Sequence, residues 1–141
     1  MAHPVLARPR ATPTALVAAL DQLDRSSDGL TVARAATTPA ERYVAAHLAA
    51  LRAAAAVLAV RGRPAGGRGR TLSVWDLLPR VAPELGEWAG FFSASASRRA
   101  AVEAGRVDVV SARDADDLLR DAETFALVVG EILGVPRELG R

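Results

Sequence analysis

Three short stretches constrain the fold of this chain more than any other feature. Each sets a hydroxyl residue three positions ahead of an acid: Thr38-Pro39-Ala40-Glu41, Ser73-Val74-Trp75-Asp76 and Ser111-Ala112-Arg113-Asp114. A hydroxyl there accepts a bond from an orphaned N–H of a helix's first turn. The acid three residues on can answer the hydroxyl residue's own N–H. Pro39 adds a ring already shaped for the first helical position. A chain with three such starts is expected to be helical throughout.

The apolar spacing behind these starts agrees. After Thr38, Val44, Leu48, Leu51, Ala55 and Leu58 recur at intervals of four and three, predicting a helix to about Arg61 with these residues buried. Ahead of it, Pro13 opens a helix to about Ala36 through Leu16, Leu20, Leu23 and Leu30. Ser27 fills the missing step, and the pattern weakens around Ser26 to Gly29. Ser73 opens a short helix that Pro79 curtails. Pro83 starts a longer one through Leu85, Trp88, Phe92 and Val102 to about Ala104. Behind Ser111, Leu118, Ala122, Phe125, Val129 and Ile132 form a buried face, ended by Gly134 and Pro136. Val107 to Val110 is strand-like but too short for a sheet.

The expectation is an all-α, up-and-down bundle of four principal helices plus a short one, over residues 12–134. Residues 1–11 read as a disordered N-terminal tail and 135–141 as a C-terminal tail. The run RGRPAGGRGR at 61–70 reads as a flexible arginine/glycine loop. Alanine fills 31 of the 141 positions, and Ala53 to Ala56 would let a neighbouring helix approach closely.

Absences exclude several chemistries. All 18 cationic side chains are arginine, so no P-loop, Schiff-base or kinase-type lysine exists. Lack of cysteine removes disulfides, thiolate zinc sites and thiol nucleophiles. With two histidines, one of them His3 in a proline-broken tail, no metal site or cofactor is expected. Missing lysine and asparagine with a single isoleucine is the residue usage of a GC-rich genome. The isoelectric point near 10.3 therefore says little about nucleic acid, because the net charge is only +2. Uncharged runs of about ten residues are half a membrane span. Arg8, Pro9 and Arg10 break any leader-like apolar run, so a cytoplasmic protein without membrane association is expected.

The runs RYVAAHLAALRAAAAVLAVRGRP, SVWDLLPRVAPELGEWAGFF and ARDADDLLRDAE together resemble an actinobacterial family of HEPN domains (higher eukaryotes and prokaryotes nucleotide-binding), over about Ala33 to Leu133. The resemblance implies a helical bundle, a homodimer, and contact with RNA or a nucleotide. Many HEPN members are metal-independent ribonucleases with an Arg-x(4–6)-His motif, two such sites meeting across the dimer. Arg42 and His47 match that motif in spacing.

On that implication His47 would act as general base or acid on a 2′-hydroxyl, and Arg42 or Arg52 would clamp the phosphate. Arg61, Arg63, Arg68 and Arg70 would neutralise further phosphates. Helix geometry sets a condition. Five positions at 100° per residue put Arg42 and His47 about 140° apart, so one regular helix cannot converge them without a partner chain. Tyr43, one turn before His47, is the better local partner.

Each feature also has a purely structural reading. His47 lies at the border of the expected stripe, where a histidine bonded to a tyrosine or a carbonyl is ordinary. The arginine loop has no aromatic residue interleaved for base stacking. Asp116 with Arg120, and Arg113 with Asp117, are expected as one-turn ion pairs, while Arg98 and Arg99 are placed to pair with the acidic last helix. Trp75, Trp88, Phe91 and Phe92 read as core or dimer contacts. A non-catalytic interaction module, with a regulatory or antitoxin-like protein partner, stands as the alternative to an RNA-binding homodimer. A DNA-binding helix-turn-helix is disfavoured, since no short turn leads into a polar recognition helix.

Overall fold

The computed structural model describes residues 11–64 and 72–135. Its helices are α1 (Pro13–Ala35), α2 (Pro39–Arg61), α3 (Val74–Val81), α4 (Gly86–Glu103) and α5 (Ala112–Ile132). Single 3-10 turns at Pro83–Leu85 and Val107–Val109 precede α4 and α5. No strand occurs among the described residues, and the strand-like Val107–Val110 is mostly that second turn.

The helix starts form as their chemistry demands. Ser73/Asp76 and Ser111/Asp114 make complete capping boxes, with aspartate closing each at the third position. Thr38 makes the first half, accepting the Glu41 N–H at 3.2 Å, and Thr12 caps α1 from Ala15 at 3.0 Å. Pro79 lies inside α3 and the helix ends two residues later. Gly134, at φ +72°, turns the chain out of α5. There the Val135 N–H returns to the Gly130 carbonyl at 2.7 Å.

The long helices alternate in direction, and α2 is the centre. It packs most extensively along α1 and α5, which also touch each other, and it meets α3 and α4 as well. Arg34, at the end of α1, pairs with Glu123 of α5 at 3.0 Å and ties these two helices together where they meet. Its position explains why α2, at 23 residues, is long and apolar enough by composition to cross a membrane. A helix enclosed by other helices is apolar all round, and 56% of that stretch is buried within the bundle.

Two expected faces hold in part: Leu23 and Leu30 on α1 and Leu58 on α2 are buried as expected, and the other positions are not. On α1 the buried line is Ala19, Leu23, Ser26, Leu30 and Ala33, while Leu16, Leu20 and Ser27 face outward. On α2 the buried residues include Tyr43, His47 and the alanines 46, 49, 50, 53, 54 and 56, whereas Val44, Leu48, Leu51 and Ala55 are only half-buried. The cause is close helix approach. The Ser26 hydroxyl donates to the Ala49 carbonyl at 2.7 Å, and a Cβ on Gly29 would stand 3.2 Å from that of Ala49. Small residues stand where the α1 and α2 backbones come nearest, at Ser26, Gly29 and Ala49, and Leu23 and Leu30 are buried beside them.

On the opposite side of α2, aromatic rings fill the core. Trp75 stacks on Phe92 at 5.1 Å between centroids, Phe92 meets Phe125 at 5.1 Å, and Trp88 meets Phe125 at 5.5 Å. These rings lie between α3, α4 and α5 and hold α4 away from α5. On α5, Leu118, Ala122, Phe125 and Val129 are buried as expected, and Ile132 is half-buried.

Candidate functional site

Arg42 and His47 leave α2 toward different helices. The Arg42 guanidinium donates to the Ala33 and Ala36 carbonyls at 3.1 and 2.9 Å, closing the C-terminus of α1. Its remaining edge meets Asp116 of α5 at 2.6 Å. Arg42 is therefore a strut joining three helices. Asp116 faces it rather than Arg120, whose partner is Asp117 at 3.6 Å, so the expected Asp116–Arg120 pair does not form. The expected Arg113–Asp117 pair does, at 3.8 Å.

His47 is 1% exposed, well inside the border position its stripe suggested. Its ring stands edge-on to Trp75 and Phe92, at 5.9 and 6.3 Å. Nδ1 lies 2.9 Å from the Ser95 hydroxyl, which in turn donates to the Phe92 carbonyl at 2.9 Å. The tautomer with hydrogen on Nδ1 satisfies both bonds at once, the hydroxyl accepting from His47 while it donates to Phe92. Burial, with a smaller push from the Arg99 guanidinium, lowers the pKa of His47 from 6.5 to about 4. At neutral pH the ring is uncharged.

Tyr43 does not bond His47. Its hydroxyl reaches the Ser95 backbone carbonyl at 3.5 Å, so both α2 side chains grip the same residue of α4 from one turn apart. Burial raises the phenol's pKa, against a partial offset from Arg98, and keeps it protonated. Ser95 is the residue that sequence reasoning missed here, and Arg99, expected to pair with the acidic last helix, makes no ion pair with a described residue and acts on His47 instead. Ser95 sits in the run Ser93-Ala94-Ser95-Ala96-Ser97, where nothing marks one serine over another until α2 is laid against α4. Half-buried Arg99 lends its charge to the His47 site, and its Nε is without a hydrogen-bond partner among the described residues, as is Trp75 Nε1.

The other arginines do not converge on this pair. Arg61 is the last residue of α2 and not part of a loop. It donates to the Val81 carbonyl at 3.2 Å and to Glu84 at 2.9 Å, locking α2 to the end of α3. Arg52 and Arg63 are exposed, without a hydrogen bond or ion pair to another described residue. Arg68 and Arg70 lie outside the described residues. No group of three metal-capable side chains gathers among the described residues.

A different concavity lies between α4 and α5, just outside the Ser95 contact. It is a groove of about 420 Å³ with Tyr43, Phe91 and Leu118 among its lining and Asp114, Asp117 and Asp121 along the α5 wall. Arg98 closes one end by pairing with Asp114 at 3.5 Å. Phe91, expected in the core or at a dimer contact, is 43% exposed at the groove's edge.

The model of the SAV_6107-like HEPN family matches residues 33–130, from the end of α1 through most of α5. The chain belongs to the HEPN family. Its helical bundle is the HEPN architecture, with most of α1 lying ahead of the matched region. No curated protein and no solved structure matches this HEPN chain.

Proposed function

We propose that this HEPN chain is a non-catalytic interaction module rather than a ribonuclease. The carrying observation is the double engagement of the motif residues. His47 is buried and hydrogen-bonded to Ser95, and Arg42 is tied to two carbonyls and a carboxylate on other helices. A general base must come within hydrogen-bond reach of the hydroxyl it deprotonates. A ring enclosed by Trp75 and Phe92 does not. The two side chains also point to different helices, and with His47 enclosed a docked second copy could meet only the exposed edge of Arg42.

The test is incubation of the purified chain with RNA at neutral pH in the presence of a chelator, beside His47→Gln. Circular dichroism establishes that the variant is folded. The expected result is no cleavage above buffer by either protein. Cleavage by the native chain that a folded His47→Gln loses would overturn the proposal.

RNA contact without cleavage is the second reading, and exposed Arg52 and Arg63 favour it, since phosphate-neutralising cations must be unpaired and accessible. Arg52→Ala with Arg63→Ala would then weaken RNA binding and flatten its salt dependence. An unchanged salt slope would remove this reading. Homodimerisation and a cytoplasmic setting belong to the same proposal, and light scattering on the purified chain reads the former.

A further inference from the structure

We propose that the groove between α4 and α5 is a docking site for an arginine-bearing segment of a partner protein. This rests on the interaction-module reading and names the surface and the partner chemistry. The groove exists because the rings of Trp88, Phe92 and Phe125 wedge the two helices apart. Past Phe91 and Asp121 it continues into a second hollow of about 310 Å³ bounded by Glu87 and Trp88.

The two walls differ in chemistry. On α5, Asp114, Asp117 and Asp121 follow at intervals of three and four, which places them in one line along the helix. On α4, Glu87, Phe91, Ala94 and Arg98 follow at four, three and four. Arg98 neutralises Asp114, while Asp121 and Glu87, on either side of the exposed ring, make no ion pair with another described residue. Asp117 meets Arg113 and Arg120 at 3.8 and 3.6 Å, and both arginines are largely exposed. Half-buried Asp121 makes no hydrogen bond or ion pair with another described residue, and feels only the attraction of Arg120. Burial and the neighbouring Asp117 charge raise its pKa, as expected for a carboxylate short of a counter-ion.

A guanidinium answers each of these features at once. Its planar fork bonds a carboxylate by two parallel N–H groups, and its face stacks on an aromatic ring. Lysine offers a point charge and no stacking plane. The apolar floor of Phe91, Ala94 and Leu118 takes an aliphatic side chain next to the arginine. RNA is the wrong occupant, because its phosphates would face Asp117, Asp121 and Glu87. The chain carries net positive charge overall, so this local reversal of sign would select its partner.

The probe is an acetylated, amidated pentapeptide of alternating arginine and leucine, titrated into the 15N-labelled full chain. Amide shifts are expected to centre on Phe91, Asp117 and Asp121. Binding is expected to weaken about fivefold or more in the lysine-for-arginine peptide, in Phe91→Ala and in Asp117→Asn/Asp121→Asn. Asp108→Asn, an exposed acid outside the groove, is expected to bind as the native chain does. Shifts scattered over the surface, equal binding of the lysine peptide, or equal loss in Asp108→Asn would overturn the proposal. So would an RNA oligonucleotide shifting the same amides. Self-association that Phe91→Ala abolishes would assign the groove to a second copy of the chain instead. None of these readouts depends on RNA cleavage, so the non-catalytic reading and the groove proposal fail separately.

Discussion

Acid should expose the burial of His47 as a measurable loss of stability. Its pKa is 6.5 as an ordinary side chain and about 4 in the fold, so between these values the unfolded chain takes up a proton that the folded chain refuses. Stability therefore rises with pH through this window, is fully present above 6.5, and falls as pH drops toward 4. A shift of this size corresponds to about 3 kcal/mol at its limit, of which about 2 kcal/mol is lost by pH 5. Urea denaturation, followed by the fluorescence of core Trp75 and half-buried Trp88, reads this at pH 7 and pH 5. His47→Gln is uncharged at both pH values and should lack the His47 share of the loss. Carboxylates such as Asp114, held below its usual pKa by the Ser111 N–H and hydroxyl, contribute equally in both proteins and cancel in the comparison. A direct readout uses the imidazole carbon-bound proton by NMR in a His3→Ala background, where His47 is the only histidine. A midpoint near 4 is expected. A midpoint near 6.5, with no pH-dependent gap between native and His47→Gln, would refute the burial argument and reopen catalysis.

Other substitutions probe the contacts around this site, each read by urea denaturation. Arg42→Ala should cost about 2–3 kcal/mol, because two carbonyls at the end of α1 lose a charged donor. Asp116→Asn should cost less than about 1 kcal/mol, since its carboxylate is half-exposed and screened; equal losses would mean that the ion pair rather than the cap matters. Ser95→Ala should cost about 1–3 kcal/mol by orphaning the buried Nδ1 of His47, while leaving the backbone carbonyl that Tyr43 uses. Ala49→Leu should cost about 1–3 kcal/mol or more by forcing α1 from α2; a neutral result would mean that the seam is looser than the 3.2 Å approach at Gly29 implies.

How much of this was legible in the sequence depends on what kind of interaction decides each feature. Helix starts were legible because capping is local: Ser73 with Asp76 and Ser111 with Asp114 need only three residues of context. Which face of a helix turns inward was less so. Counting leucines assumes that large apolar residues alone define the seam, but α1 and α2 come nearest through Ser26, Gly29 and Ala49. Leu16 and Leu20 are displaced outward by that choice of small residues. At the motif, the angle between Arg42 and His47 followed from the helix repeat. Their partners did not, because Ser95 and Asp116 come from helices 48 and 74 residues away. The α4–α5 groove was the least legible feature, since it arises from the volume of three aromatic rings.

The packing also bounds what an RNA-cleaving role would require of this pair. His47 becomes accessible only if α4 swings from α2, which breaks the His47–Ser95 and Tyr43–Ser95 contacts and uncovers Phe92 and Trp75. Exposing two large buried side chains costs on the order of 4 kcal/mol even before the hydrogen bonds are counted. An equilibrium with that gap leaves about one molecule in a thousand open. The apparent activity is reduced by the same factor, and Arg42 would still face α1 and α5. A partner could shift that balance only by binding the open form about a thousandfold more tightly. Binding energy directed to the closed α4–α5 groove acts the other way, since a segment clasped between Phe91 and Asp121 holds α4 in place. Occupation of the groove should therefore slow hydrogen exchange of the α4 amides around Ser95. Faster exchange on peptide binding would show the groove to be coupled to opening instead.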